Sequence, residues 1–297
     1  MKVLIVGGTG LIGGDAALYL RDQGMQVTIM SRSKPSTDVL ADFDHIVGSY
    51  RDNAIERTVL AQFDAVVFAA GADLRQLPAD CTDMDAFFHA ANVEDIPAFI
   101  NSVKAAGVKH AVYVGSYYPQ VVPDQIEANG YVRSRHLSDA AVRSLNDDSF
   151  NVCTLNAPFV LGVLPGLDIP HLQGLVAYAA GQLPDIPLVA PGGGVNHISA
   201  RSLSQAIFTA LQNGKGGHDY LVGDENLSWK AYLEIFCEVV GNPQDLAVSE
   251  EEHPLFPDIM MYAGRNATVS YEGEQAEISY QTGQITQTIR DVVAALS

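Results

Sequence analysis

The chain has 297 residues, 47% of them hydrophobic, with a formal net charge of -18 at pH 7. That length and apolar content support one large or two small folded domains, and the negative charge opposes binding to nucleic acid or an anionic membrane surface. No apolar run reaches the roughly eighteen residues that span a bilayer, and the N-terminus reads as a strand with no signal peptide before it.

Val3–Val6 is an apolar run that predicts a buried first strand. Gly7, Gly10 and Gly13 follow at intervals of three, and Ala16–Leu20 starts a helical pattern. Glycines between a strand and a helix allow a tight turn and let a pyrophosphate approach the backbone amides, with the positive helix end facing it. A dinucleotide site is therefore expected around Gly7, Thr9, Gly10, Leu11, Ile12 and Gly13. Further strands are expected at Gln26–Met30, His45–Val47, Ala65–Ala70, Ala111–Val114 and Asn151–Leu155. Helices are expected over about Ile96–Ala106 and residues 131–145. Strands alternating with helices of this length imply right-handed crossovers and a parallel sheet covered on both faces.

Prolines and the triplet Gly192-Gly193-Gly194 make residues 163–195 read as loops around one helix near 171–181. Helices at Arg201–Asn213, Trp229–Val240 and about Ile285–Leu296, with a strand at Tyr220–Val222, complete the pattern. The fold class is α/β: a doubly wound parallel-sheet Rossmann fold over residues 1–162, rejoined by 195–223. A smaller C-terminal substrate-binding region takes 163–194 and 224–297. Cys81, Cys153 and Cys237 are odd in number and far apart, so they form neither a metal spacing nor a disulfide framework, and a cytoplasmic location fits them. The cluster Glu250–Pro254 lacks a second group of ligands, so no metal is assigned.

Several segments, in order, resemble the extended and atypical short-chain dehydrogenase/reductases of the NAD-dependent epimerase/dehydratase type. They are the three-glycine turn, Ala69-Ala70-Gly71 after a strand, Asn92-Val93 before a helix, and Val112–Ser116 as a strand ending in serine. Tyr131-Val132-Arg133-Ser134-Arg135 resembles that family's Tyr-x-x-x-Lys, and Asn156–Gly162 resembles its Arg-Pro-x-x-x-x-Gly with Asn for Arg. The resemblance covers roughly residues 1–240. It implies cofactor contacts from Ala69, Ala70, Gly71 and Asn92, and packing of Pro158, Phe159 and Val160 near the nicotinamide. In the family, the end of the second strand selects the cofactor. Here Ser31, Arg32 and Lys34 stand there with no acid before Asp38, which favours NADP, with NAD as the other choice.

The resemblance also implies that Tyr131 is the acid/base and Ser116 the second donor to a carbonyl oxygen. Position 135 departs from the family, and no lysine lies between Lys109 and Lys215 to replace it. Arginine keeps the charge but is larger, planar and always protonated. Either Arg135 substitutes and Tyr131 works, or the protein only binds nucleotide. Tyr117 and Tyr118 follow Ser116 and are expected at the substrate, together with Tyr178 and His197; His171 is a further candidate.

Sugar-nucleotide enzymes of this architecture hold a second pyrophosphate with cations from the C-terminal half. Beyond residue 150 the only cations are Arg201, Lys215, Lys230, Arg265 and Arg290. A small, uncharged, apolar carbonyl or alcohol fits better. The expected activity is an NADP-dependent oxidoreductase, with an epimerase or dehydratase holding NAD(H), or a non-catalytic sensor, as the alternatives. Related enzymes are often dimers, so a homodimer is a further expectation.

Overall fold

The computed structural model describes residues 1–52 and 54–296. Its strands, in chain order, are β1 (Lys2–Val6), β2 (Gln26–Ser31), β3 (Asp44–Val47), β4 (Ala65–Phe68), β5 (His110–Ser116) and β6 (Asn151–Ala157). They continue with β7 (Phe159–Leu161), β8 (Ala190–Pro191), β9 (Gly194–Ser199), β10 (Asp219–Leu221), β11 (Glu225–Ser228) and β12 (Val248–Ser249). Seven strands form one parallel sheet in the order β10-β6-β5-β4-β1-β2-β3.

β1 and β4 lie at its centre, and their apolar runs are buried on both faces. Alternate side chains go to opposite faces. Val3 and Ile5 pack with Ala16, Ala17 and Leu20 of the Leu11–Asp22 helix and with Leu203 and Ile207 of the Ala200–Asn213 helix. Leu4 and Val6 pack on the other face with Ile96, Phe99, Ile100 and Val103 of the Asp95–Ala105 helix. Each fully buried Val, Leu, Ile or Phe among them contributes about 1.5–3 kcal/mol.

The strand order reverses between β1 and β4, which opens a crevice at their carboxyl ends. The Leu11–Asp22 helix is fixed beside that crevice by Asp15, which is buried and accepts from Ser204 Oγ at 2.7 Å and Arg201 Nε at 3.1 Å. The first glycine turn is thereby tied to a helix nearly two hundred residues further on.

The C-terminal part has its own core. Helices Pro170–Ala179, Trp229–Val239 and Ile285–Leu296 bury Leu172, Leu175, Leu233, Phe236, Ile289 and Val292 together. The small sheet β11-β9-β7 sits with them. The expected return of residues 195–223 divides in two. The Ala200–Asn213 helix and β10 join the large sheet, whereas β9 pairs with β7 and β11. Among the described residues, no helix is long and apolar enough to cross a membrane.

Candidate active site

At the crevice, the three glycines do different work. Gly7 has φ +84°, and a Cβ there would lie 2.6 Å from the Ala69 carbonyl oxygen. Only glycine combines that left-handed turn with such close approach of the two loops. A Cβ at Gly13 would overlap the Gly7 carbonyl, so Gly13 lets helix and strand meet. Gly10 is exposed and would meet only Gly7 O, at 3.5 Å. It starts the helix with no side-chain cap, so the amides of Leu11, Ile12 and Gly13 are left for an external acceptor. Thr9 lies within the turn, and Ala69, Ala70 and Gly71 form the opposite wall after β4. These features fit a dinucleotide pyrophosphate.

The far end of the groove has a volume of about 680 Å³ and is lined by Arg32, Val47, Gly48, Ser49, Arg51, Asp52, Ala90 and Asp95. Arg51, three residues beyond Gly48, pairs with Asp95 at 3.0 Å. Lys34 stands exposed outside this lining. Ser31 points into its own loop, donating to the Ser33 carbonyl at 2.7 Å and lying 2.8 Å from His45 Nε2. Its hydroxyl shapes the loop and is not directed at a ligand, which corrects its assignment as a side-chain cofactor contact.

At the other end, Ser116 terminates β5 and is buried. Tyr131 lies at the start of the Gly130–Arg143 helix, which Asn129 caps by accepting from the Val132 amide at 3.1 Å. Burial raises the Tyr131 pKa above its ordinary value; Arg135 and the Ser116 hydroxyl pull it down, and Asp73 adds to the rise. The phenol is therefore protonated throughout the neutral range.

Arg135, one turn on, is 6% exposed. Its Nη2 donates to the Val114 carbonyl at 3.0 Å, and its guanidinium lies 5.5 Å from the Tyr113 ring centroid. Nη1 fills space that a Cβ on Gly71 would occupy, and Nε is buried without a partner. A buried guanidinium with unused donors calls for acceptors, and ribose hydroxyls are suitable ones. Asn92 fixes this corner from a π-helical turn at His89–Glu94. It accepts from the Ala72 amide at 2.9 Å and donates to the Ala72 carbonyl and Ser134 Oγ, both at 3.1 Å. Its polar atoms are used in joining the loop after β4 to the Tyr131 helix, so it acts on a cofactor only by positioning.

The family model described as "NAD dependent epimerase/dehydratase family" matches residues 3–223. The chain belongs to that family. A Synechocystis sp. protein named "Putative dihydroflavonol 4-reductase" is 22% identical over 260 residues, covering 80% of this chain and 72% of that one. The crystal structure of gox2253 superposes with a TM-score of 0.80 at 18% identity, covering 99% of this chain and 97% of its own. UDP-glucose 4-epimerase from Bifidobacterium longum, in complex with NAD+ and UDP, gives a TM-score of 0.76 at 16% identity, covering 99% and 98%. The family's members are NAD(P)-dependent enzymes, and the parallel sheet with its crevice is this family's nucleotide-binding fold.

Five residues expected at the epimerase/dehydratase-family site do not present their side chains to it. Tyr178 is buried in the C-terminal core, its hydroxyl 2.7 Å from the carbonyls of Pro187 and Val189 and 3.1 Å from His253 Nε2. Phe159 turns its ring onto His197, Trp229 and Tyr232, at 5.3, 5.7 and 6.0 Å between centroids. Val160, alternating with it along β7, packs into the Rossmann core. Pro158 is buried between β6 and β7, so this segment can offer a nicotinamide its main chain, not these two side chains. His197 is 0% exposed, stacked on Tyr232 at 4.6 Å, with Nδ1 3.0 Å from the Val195 carbonyl.

Burial lowers the His197 pKa from 6.5 to about 4, against backbone hydrogen bonds that raise it. A histidine with a depressed folded pKa takes up a proton more readily when unfolded. Its contribution is complete above about pH 6.5 and is lost as pH falls towards about 4, by on the order of 3 kcal/mol in all. Denaturant unfolding between pH 7 and pH 4.5 is expected to show a flatter pH dependence for His197→Phe than for the wild type. Parallel curves for the two proteins would contradict this. His45, His171 and His253 are lowered too, chiefly by burial, and supply a remaining slope of the same sign.

Sequence reasoning missed Tyr262 and Tyr271. Tyr262 stacks on Tyr131 at 4.3 Å and 16°, and meets Tyr118 edge-on at 5.3 Å. Tyr117 is buried between Tyr118, at 4.2 Å, and Tyr271, at 5.8 Å. Phe88 meets Tyr131 edge-on at 5.4 Å. Asp73 and Arg75 form an ion pair at the rim, which also influences His171. Of the expected substrate residues, Tyr118 meets Tyr262, which stacks on Tyr131, and Tyr117 packs between Tyr118 and Tyr271. Among the described residues, no group of three or more His, Cys, Asp or Glu could hold a metal.

Proposed function

We propose that this protein is an NADP-dependent reductase of small, uncharged, apolar carbonyl compounds. The observation carrying this reading is the phenol of Tyr131, half-buried and kept protonated by its surroundings, beside Ser116 and one helical turn from Arg135, with Phe88 and Tyr262 packed on its ring. The nicotinamide, when bound, supplies the hydride. The chain's residues supply the rest. Ser116 Oγ donates to the carbonyl oxygen and polarises it, and Tyr131 Oη transfers a proton to that oxygen. Arg135 offers donors to the ribose hydroxyls and stabilises the phenolate left on Tyr131 until solvent reprotonates it. A raised tyrosine pKa keeps Tyr131 in the protonated form that the acid role in reduction needs at neutral pH.

Arg32 lines the far end of the groove, where Arg51 is already paired with Asp95, and Arg32-Ser33-Lys34 after β2 includes no carboxylate. A carboxylate there would repel a 2′-phosphate, whereas a guanidinium can pair with it. Arg32→Glu is expected to weaken NADPH binding by about 10- to 100-fold, the worth of a charge-assisted hydrogen bond, and NADH binding by no more than about threefold. Equal weakening of both cofactors would defeat the NADP assignment.

A nucleotide-sugar substrate is disfavoured by where the C-terminal cations go. Four of the five pair with carboxylates, Arg201 with Asp15, Lys215 with Glu277, Lys230 with Glu234 and Asp245, and Arg265 with Asp258, while Arg290 is exposed on the last helix and reaches Gln287. Cations already paired with carboxylates are poor holders of a second diphosphate. The reductase name of the Synechocystis relative points the same way. The deciding experiment titrates NADPH and NADH, then follows NADPH oxidation with a panel of apolar ketones and aldehydes. Turnover supports the reductase. Cofactor retained through purification without net oxidation supports an epimerase or dehydratase, and reversible binding without turnover supports a sensor.

A further inference from the structure

The ring of Tyr262 covers the proposed proton donor. It covers the face of Tyr131 at 4.3 Å and 16°, and Tyr118 presents its edge at 87°. Parallel contact on one side and perpendicular contact on another is the arrangement that the quadrupole of a planar aromatic ring favours. The position is thus shaped to a six-membered aromatic ring, and the chain fills it with its own. Tyr262 is half-buried on a segment without regular secondary structure, between Met261 and Ala263, which pack against the C-terminal core. Asp258 and Arg265 pair across its base, Gly264 and Asn266 turn with φ +96° and +62°, and Val269 anchors its end by donating to the Gly194 carbonyl at 2.9 Å. Ile259 and Met260, just before it, are exposed.

We propose that Tyr262 is a ring-selective gate. It covers Tyr131 in the free protein and gives way to the aromatic ring of the substrate, so the preferred substrates carry their carbonyl on an aryl group. The phenol oxygen of Tyr131 is one bond outside its ring. The carbonyl carbon of an aryl ketone is also one bond outside its ring. An aryl ring taking the place of Tyr262 would carry its carbonyl over the ring of Tyr131, on the side of the molecule where the proton donor stands. An aliphatic ring of the same size gains neither the face contact with Tyr131 nor the edge contact with Tyr118. Displacing a covering side chain weakens apparent affinity by the fraction of protein that is open.

This inference rests on the reductase reading, and a binding measurement separates the two. Acetophenone and cyclohexyl methyl ketone are titrated calorimetrically into the NADP⁺-loaded protein, for the wild type, Tyr262→Phe and Tyr262→Leu. Acetophenone is expected to bind about tenfold more tightly than its cyclohexyl counterpart to the wild type. Tyr262→Phe keeps the covering ring and should match the wild type, whereas Tyr262→Leu should bind acetophenone several-fold more tightly. Equal affinity for the two ketones would overturn the substrate class. Weaker acetophenone binding by Tyr262→Leu, with Tyr262→Phe unaffected, would make Tyr262 a fixed wall and overturn the gate. Aryl selectivity without turnover of any ketone would leave this inference standing and remove the reductase.

Discussion

Tyr131→Phe is expected to lower kcat for carbonyl reduction by about 10²- to 10⁴-fold, the usual worth of a positioned proton donor, while NADPH affinity stays within about twofold. The variant loses one hydroxyl and keeps the ring, so the contacts with Phe88 and Tyr262 and the helix cap at Asn129 persist. A large loss of cofactor affinity would show that the hydroxyl acts in binding. Unchanged turnover would pass the acid role to a neighbour. Tyr118 is the better-placed substitute, since it is only half-buried and meets Tyr262 beside Tyr131, whereas Tyr117 is buried against Tyr271. The pH profile provides a second check. Because burial raises the pKa of Tyr131, the donor form persists through neutrality, and reduction should decline only at alkaline pH as the phenol ionises.

The first half of the site was legible because its determinants are local. A strand, a three-residue glycine spacing and a helix specify a turn whatever the rest of the chain does, and Gly7 and Gly13 meet backbone from neighbouring segments. Tyr131 and Arg135 share a helix face by spacing alone. The second half depends on distant partners. Whether Phe159 or Val160 faces the nicotinamide depends on the pairing of β7 with β9 and on Trp229 and Tyr232, seventy or more residues away. Tyr178 looks like a pocket aromatic until Pro187, Val189 and His253 saturate its hydroxyl. Tyr262 lies in a stretch without regular periodicity, and its position over Tyr131 is set by the tertiary anchors at Arg265 and Val269. Arg51 could have been found, because it closely follows Gly48-Ser49 at the end of β3, where the groove must run.

Gly71→Ala is expected to reduce kcat/KM by more than about 10²-fold, the effect of displacing a catalytic group by about an ångström. The added methyl would overlap Arg135 Nη1, and the guanidinium has little room to retreat, since Nη2 is held by the Val114 carbonyl and Tyr113 packs against it. Arg135→Lys alone should keep activity within about tenfold, because lysine retains the charge without the planar fork. The double variant, Gly71→Ala with Arg135→Lys, should recover most of what Gly71→Ala loses, since a single ammonium leaves the place of Nη1 empty. Such recovery would be a large coupling energy between residues in contact, and it would explain how this chain tolerates arginine where the family has lysine: the missing side chain at 71 makes room for the second nitrogen. If the double variant were as inactive as Gly71→Ala, the glycine would be serving the loop after β4 and not the guanidinium. If Arg135→Lys alone were inactive, the fork itself would be required, and the unpartnered Nε and its neighbours would be the donors that hold the ribose.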